Sequence, residues 1–401
     1  MKKTLIALAA LSAIAGAAQA QSTVTLYGLV DADFGAFTTN VVTAPGVIKS
    51  LSQTKINPEG LNGNRWGLKG AEDLGGGLSA IFNLESGFTI DDGASAQGGL
   101  LFGRRASVGL TGGFGKVELG RSSSAYNDVA YDHAMMGGAS KFDPSNANNS
   151  LSAAAITGAG NAVRAFVATP NAANAALLAT AAQPLMARTN AWFGFQERVN
   201  NSIKYTTPTF SGVTASVMYG LGEDKSATTD ASKTVSASIK YVNGPLLVSA
   251  GYQSEGASTT AAVAAAPAAV PTLDNTLISI AYDFGVAKVG LGVSRAQYKN
   301  VFALATPASP DMAAQNEYDL SVSVPIGAVT LSADYAVSNG DDLGKSSGFG
   351  VQALYALSKR TTLYVGAVST STYDNLATVA NALGGDIQRN TTYAAGVRHT
   401  F

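Results

Sequence analysis

The most constraining feature of this sequence is a two-residue alternation of apolar and polar side chains that recurs in one segment after another. Between residues 24 and 34, Asp31 and Asp33 share one parity, whereas Val24, Leu26 and Phe34 share the other. The same period returns at 235–241, 317–324 and 329–335. Because successive side chains of a β-strand point to opposite faces, these segments predict strands with two chemically different faces.

The polar faces carry mainly serine, threonine and glycine with single charges. Only 13% of the residues are charged, well below the roughly 25% of an ordinary soluble protein, although 46% are hydrophobic. No stretch after the N-terminal region reaches the roughly 18 apolar residues of a transmembrane helix. This composition predicts an all-β chain, a barrel whose polar face lines a water-filled lumen rather than a soluble sandwich. There is no cysteine, so no disulfide supports the fold.

The first twenty residues have the composition of a secretory signal. Lys2 and Lys3 precede an apolar run at 5–18, and Ala18-Gln19-Ala20 completes a small-x-small cleavage pattern. We therefore expect residues 1–20 to be a cleaved signal peptide and residues 21–401 to form a single barrel domain. Without Lys2 and Lys3, 24 basic side chains face 27 acidic ones, a formal charge of −3 that gives no indication of nucleic-acid binding.

Short and long connections alternate along the chain. Seven short turns rich in Gly, Pro, Asn or Asp lie near residues 73–77, 112–115, 208–212, 243–245, 283–285, 325–327 and 358–360. Eight longer connections are predicted at 38–63, 89–99, 123–197, 222–233, 254–274, 299–315, 339–347 and 371–390. Fifteen connections predict sixteen antiparallel strands, with both chain ends on the same side of the membrane.

The segment 391–401, TTYAAGVRHTF, has an apolar outer parity that includes Tyr393, Val397 and Phe401. It resembles the C-terminal signature of outer-membrane β-barrels, which implies that the barrel-assembly machinery reads these three residues. Taken alone, the segment also fits an ordinary half-buried edge strand.

Four segments resemble the general, non-specific trimeric porins of Gram-negative outer membranes. They are VTLYGLVDADFG (24–35), NRWGLKGAEDLGGGLSAIFNLE (64–85), RRASVGLTGGFGKVELGR (104–121) and YAAGVRHTF (393–401). The resemblance implies a 16-stranded transmembrane β-barrel with short periplasmic turns, long external loops and a third loop, 123–197, folded into the lumen. It also implies a homotrimer in outer-membrane lipid that passes ions and small hydrophilic solutes by passive diffusion, without a cofactor.

Small residues at outward positions of the early strands, Gly28, Ala32, Gly70 and Ala80, are compatible with close packing between barrels. The chain departs from the family pattern in the Ala/Asn-rich stretch 145–187 and in 258–271, so the path of the third loop is not predicted.

Strand parity predicts the charged residues of the pore wall. Alternation places Arg65, Lys69, Arg198, Lys204 and Arg398 on the lumen face.

The neighbouring pair Arg104 and Arg105 is ambiguous. Parity counted from Val108 and Leu110 selects Arg105, whereas the family's constriction arginine aligns with Arg104. A β-bulge between Arg105 and Val108 would allow both to face the lumen.

Opposite this wall, the inward loop offers Asp128, Asp132 and Asp143. Opposed rings of charge would create a transverse field that filters ions by sign. The alternative is that the arginines form structural salt bridges within the wall.

Two other classes of function fit this sequence less well than a channel does. The only histidines are His133 and His399, and parity places His399 on the lipid face. With no cysteine and two distant histidines, the sequence predicts neither an enzyme nor a metal site. A scaffold or adhesin barrel, with a plugged lumen and long loops that bind a partner, is the alternative to a channel.

Overall fold

The computed structural model describes residues 23–44, 46–137, 139–146, 169, 173, 191–192, 194–227, 229–257, 259–260, 270–300, 311–371, 373–375 and 387–401. The predicted signal peptide at 1–20 lies outside these residues, as does most of the Ala/Asn-rich stretch 145–187. No helix among the described residues is long and apolar enough to cross a membrane.

Nineteen strands are described. They are β1 (Thr23–Ala44), β2 (Val47–Asn57), β3 (Arg65–Gly75), β4 (Leu78–Gly87), β5 (Arg105–Gly112), β6 (Gly115–Ser123), β7 (Arg198–Thr206), β8 (Val213–Leu221), β9 (Thr229–Asp230), β10 (Lys233–Asn243), β11 (Leu246–Gly256), β12 (Thr259–Thr260), β13 (Thr272–Asp283), β14 (Lys288–Lys299), β15 (Gln315–Ile326), β16 (Val329–Gly340), β17 (Gly344–Ala356), β18 (Thr361–Ser371) and β19 (Ile387–Thr400). A helical turn at Ala96–Gly99 and a 3-10 turn at Tyr126–Asp128 lie in the connections.

One antiparallel sheet closes on itself, because β19 pairs with β1 over Leu29 to Val41. The other edge of β1 is shared: β3 pairs with Thr23–Leu29, and β2 pairs with the part beyond Asp33. Strands β2 and β3 therefore occupy one position in the wall. Since β9 and β12 form a separate two-stranded ribbon, the wall has sixteen positions. The sixteen-stranded antiparallel barrel is confirmed.

All seven short turns lie between consecutive strands where they were predicted, but two of the long connections differ. The prediction of a loop at 38–63 is wrong, since β1 and β2 continue as a hairpin that stays paired up to Ala44 and Val47. The polar threonines of this segment suggested a loop, yet threonine and valine favour strands. The connection at 339–347 is also shorter than predicted, because β16 and β17 pair up to Gly340 and Gly344.

The two faces of the wall have the predicted chemistry. Val24, Leu26 and Phe34 are more than 60% exposed on the outside, whereas Asp31 and Asp33 are buried on the inside. Large apolar side chains follow the same outward parity on strands from β5 to β19. The outer surface is therefore the apolar band that a barrel presents to lipid.

The last residue completes the seam between the first and last strands. The N–H of Gly28 donates to the carbonyl of Phe401 and the N–H of Phe401 donates to the carbonyl of Gly28, both at 3.0 Å. A Cβ atom on Gly28 would lie 2.2 Å from Cζ of Phe401, so the terminal ring covers this glycine. Gly70 is covered in the same way by the ring of Phe82. The space beside these two glycines is therefore filled by aromatic rings of the same chain, not by a neighbouring barrel.

The Gly28–Phe401 contact yields a prediction about barrel closure. Replacing Gly28 with valine should displace the terminal ring and cost about 1–3 kcal/mol, as overpacking does in a filled site. We expect Gly28→Val to lower both the yield of folded barrel and the temperature at which its compact gel band is lost.

The matched control is Gly113→Ala, in a turn where an added Cβ meets nothing within 4 Å. Equal thermal stability of the two variants would contradict the proposed role of the Gly28–Phe401 contact.

Candidate pore constriction

The described start of the third loop, residues 124–137 and 139–146, lies against the inner wall of the barrel. The N–H of Tyr126 donates to Oγ of Ser236 on β10 at 2.7 Å. The N–H of Met135 donates to Oγ of Ser321 on β15 at 2.8 Å. Further along, the side chain of Gln352 on β17 donates to the Met136 carbonyl at 2.8 Å. Small polar side chains of the lumen face therefore hold the loop backbone across half of the wall.

Glycines on the same wall allow the loop to approach closely. A Cβ on Gly290 would lie 1.9 Å from the carbonyl oxygen of His133, and one on Gly350 would lie 1.8 Å from that of Phe142. A Cβ on Gly366 would meet the ring of Phe142 at 2.6 Å. Only a residue without a side chain leaves this room, which explains glycines within strands.

The two predicted loop acids bind lysines of the adjacent wall. The Asp128 carboxylate lies 2.7 Å from Nζ of Lys204 on β7, and the Asp132 carboxylate lies 2.7 Å from Nζ of Lys240 on β10. Burial raises the pKa of Asp132, and the hydrogen bond from Lys240 opposes that effect. The structure therefore places Asp128 and Asp132 in ion pairs at the start of the loop, without bringing them to the arginines.

Three of the predicted arginines, Arg65, Arg104 and Arg105, lie on the part of the wall formed by β3 to β6. Nε of Arg104 donates to Oε1 of Glu85 at 2.7 Å, and Arg105 pairs with Glu118. Oε2 of Glu118 also lies 2.7 Å from Nζ of Lys116. Both glutamates thus serve as counter-ions for arginines, as the salt-bridge interpretation of this wall anticipated.

Arg104 and Arg105 both face the lumen, and no bulge is needed for this. The pairing of β4 with β5 is continuous from Ser79 to Glu85, so no bulge lies between Arg105 and Val108. Arg104 instead precedes the first residue of β5, and its N–H donates to the Glu85 carbonyl at 3.1 Å. Strict alternation does not apply there, because the chain has not yet entered the strand.

Arg65 and Lys69, on β3, have no acidic partner. Among the described residues, no carboxylate lies within 4.0 Å of either side chain's charged nitrogens. The Lys69 ammonium lies 5.2 Å from the ring centroid of Tyr27, a cation–π contact on the lumen face. Lys69 is also exposed, so its charge meets the water of the lumen.

A bulge interrupts the alternation around Arg198, but Arg198 still lies close to the arginine wall, where the charges of Arg104 and Glu85 act on its guanidinium group. The bulge in β7 pairs Val199 with Ser122 but Ser202 with Gly120, which adds one residue and reverses the alternation. Val199, the next residue, is buried. Both guanidinium NH groups of Arg198 donate to the Glu197 carboxylate, at 2.7 and 2.8 Å.

A second polar network joins the first loop, the third loop and the seam. The Asp31 carboxylate accepts the N–H groups of Leu61 and Asn62 at 2.8 Å and the hydroxyl of Tyr364. Nζ of Lys141, in the third loop, lies 2.5 Å from Oδ2 of Asp33.

Arg398, the remaining lumen-face arginine from the sequence, belongs to this network. It donates to the side chain of Asn62 at 2.8 Å. Sequence reasoning placed Asp31 and Asp33 on the lumen face, but it did not identify Lys141 as a partner.

With the barrel and its inward loop established, comparison with known proteins identifies the family. The family model for Gram-negative porins matches residues 7–375. The chain belongs to the Gram-negative porins.

Two curated relatives agree with this assignment. An outer membrane porin protein of Bordetella pertussis is 30% identical over the whole of both chains. Outer membrane porin protein 32 of Delftia acidovorans is also 30% identical, over 99% of this porin and 95% of the relative.

Among solved structures, an anion-selective porin from Comamonas acidovorans superposes with a TM-score of 0.65 at 26% identity. The match covers 95% of this porin and all of that chain. The porin is thus an outer-membrane channel for passive diffusion, and neither an enzyme nor a scaffold is favoured.

Proposed function

We propose that this porin passes small hydrophilic solutes with a preference for anions. The observation that carries the proposal is the imbalance of free charge in the lumen. On the wall, Arg65 and Lys69 have no acidic partner within 4.0 Å among the described residues. On the loop, Asp128 and Asp132 are neutralised by Lys204 and Lys240.

The wall formed by β3 to β6 carries more basic than acidic side chains. Glu85 and Glu118 are the acids that pair with the arginine wall, and each is in contact with a basic group. Three further bases accompany Arg65 and Lys69 on this wall, namely Arg104, Arg105 and Lys116. A solute in the channel therefore meets more positive than negative charge on this side.

Fixed charges act strongly in a narrow passage. At physiological salt the Debye length is about 8–10 Å, so charges across a constriction are incompletely screened. An excess of one sign raises the local concentration of the opposite ion. We therefore propose Arg65, Lys69 and Arg104 as the selectivity-determining residues of the constriction wall, with Arg105 held by Glu118 behind them. In this proposal Asp128, Asp132 and Lys204 position the loop, and Arg198 orders the end of the loop with Glu197.

The similarity to a relative described as anion-selective supports the same direction. Anion selectivity is described for that relative. In this chain, the excess of basic side chains on the wall indicates the same preference.

The selectivity proposal is tested by neutralising the two unpaired bases. We expect Arg65→Gln/Lys69→Gln to lower the anion-to-cation permeability ratio by about twofold or more at low salt, and by less at high salt because of screening. The ratio is measured as the reversal potential of single channels in a salt gradient.

The control is Lys359→Gln/Arg360→Gln, which removes the same charge from the exposed turn between β17 and β18. A control that shifts the reversal potential as far as the test variant, or a test variant that leaves it unchanged, would disprove the role of Arg65 and Lys69.

We also propose that three copies associate through the outer face around the seam. Porins are generally trimeric, and strands β15 to β19 with β1 carry an apolar depression of about 850 Å³ on this side. Large and small residues alternate across it: Leu331, Ala353, Val365 and Ala395 occupy successive strands in one row. Such alternation suits interdigitation with a second copy.

The terminal row is the proposed assembly signal. Tyr393, Val397 and Phe401 are 59%, 44% and 47% exposed on the outer face of β19. We propose that the barrel-assembly machinery binds this row before the seam closes.

A bulky substitution tests the trimer interface. We expect Ala353→Trp to convert trimers to monomers in mild detergent, as measured by native mass analysis. Ala237→Trp, on the outer parity of β10, is the control and should leave trimers intact. Trimers that survive Ala353→Trp, or dissociate equally in both variants, would place the interface elsewhere.

A further inference from the structure

Three buried carboxylates converge where the third loop meets the far wall. Asp143 belongs to the loop, Asp319 to β15 and Asp334 to β16. One oxygen of each lies within 4.8 Å of the others, and the residues are 1%, 4% and 1% exposed. Loop and wall therefore contribute to the same cluster.

Most oxygens of this cluster have no hydrogen-bond donor. Among the described residues, no well-formed hydrogen bond reaches either oxygen of Asp319 or Asp334, or Oδ2 of Asp143, although the hydroxyl of Ser321 lies beside the Asp334 carboxylate. The exception is Oδ1 of Asp143, which accepts the N–H and the hydroxyl of Ser145 at 2.8 and 2.7 Å. Five buried carboxylate oxygens thus point into the cluster without a well-formed hydrogen bond, which is costly unless something neutralises them.

No basic group of the described residues neutralises the cluster. Within the part of the chain that the structure describes, no lysine or arginine forms a salt bridge with any of the three acids. The nearest titratable base is His133, whose Nε2 lies 3.8 Å from Oδ1 of Asp319. The three carboxylates therefore share one buried site without a lysine or arginine partner among the described residues.

We propose that Asp143, Asp319 and Asp334 bind one divalent cation of the calcium class, which fastens the third loop to β15 and β16. Carboxylate oxygens are the preferred ligands of such hard cations, and Ca²⁺ binds them at about 2.3–2.6 Å. Oxygens on opposite sides of one ion are then about 4.6–5.2 Å apart, so a set within 4.8 Å fits a single coordination shell. Ca²⁺ is favoured over Mg²⁺, which demands a tighter and more regular shell.

The proposed site is distinct from the charges that set selectivity. The start of the loop is held by Asp128 and Asp132 on β7 and β10, whereas Asp143 lies against β15 and β16. A cation there would make the position of the loop depend on divalent ions in the surrounding medium. This inference does not rest on the proposed anion preference.

Terbium luminescence can test the site, because the chain has only two tryptophans. The ring of Trp192 stacks on His133 with centroids 5.0 Å apart, and its Nε1 donates to the carbonyl of Tyr318, next to Asp319. Trp66 lies on the outer face of β3 beside Phe102. A Tb³⁺ ion in the proposed site is therefore sensitised by Trp192.

The experiment uses the folded, full-length mature porin in detergent. We expect tryptophan-sensitised Tb³⁺ emission that saturates at one ion per chain and is displaced by Ca²⁺. Trp192→Phe should abolish the emission but retain Ca²⁺ binding by calorimetry, whereas Trp66→Phe should retain both.

Removing the ligands provides the decisive comparison. Asp319→Asn/Asp334→Asn should weaken Ca²⁺ binding by about tenfold or more, while Glu223→Gln/Asp230→Asn, in an exposed loop, should not change it. If the double wall variant fails to fold, the single loop variant Asp143→Asn gives the same comparison. A wild-type porin that binds no Ca²⁺ at millimolar concentration, or a ligand variant that binds as well as wild type, would overturn the proposal in favour of acids that share protons.

Discussion

The structure depends on one constraint: a backbone at membrane depth has no water with which to hydrogen-bond. Every N–H and C=O must then be paired within the protein, and a sheet can achieve this only by closing. The pairing of β19 with β1 provides the closure, and the reciprocal bonds between Gly28 and Phe401 extend it to the last residue. The terminal ring lies over a glycine because that position of the seam has no room for a side chain.

Closure also determines what the interior can do. Because alternate side chains of each strand contact lipid, the remaining side chains face the lumen, where they either hold the loop or contact the solute. Serine and glycine on β10 to β18 accept the loop, so that side is filled. Asp128 and Asp132 of the loop form ion pairs with Lys204 and Lys240. They are therefore not available to pair with Arg65 and Lys69 of β3, on the open side of the lumen. The anion preference that we propose thus follows from how the loop is attached.

Much of this architecture could be predicted from the sequence because it depends on local patterns. Period-two alternation and glycine-rich turns are sufficient for the sixteen wall positions, the short turns and the lumen positions of Arg65, Lys69 and Lys204. Prediction failed where tertiary contacts override the pattern. The bulge near Arg198 was not predicted, because the sequence on either side of it still alternates. The hairpin of β1 and β2 was not predicted, because its sequence is as polar as that of a loop. The partners of Asp128 and Asp132 depend on the loop's path, which is set by distant glycines such as Gly290 and Gly350.

The central claim is that alternate residues of each wall strand face water and lipid. Because the chain has no cysteine, single cysteines at adjacent positions of β3 can test it directly. A charged, membrane-impermeant thiol reagent is added to open channels that carry either Lys69→Cys or Leu68→Cys, and single-channel conductance is recorded. The account predicts a stepwise change in conductance for Lys69→Cys and none for Leu68→Cys. Equal modification at both positions, or modification at Leu68→Cys alone, would contradict it.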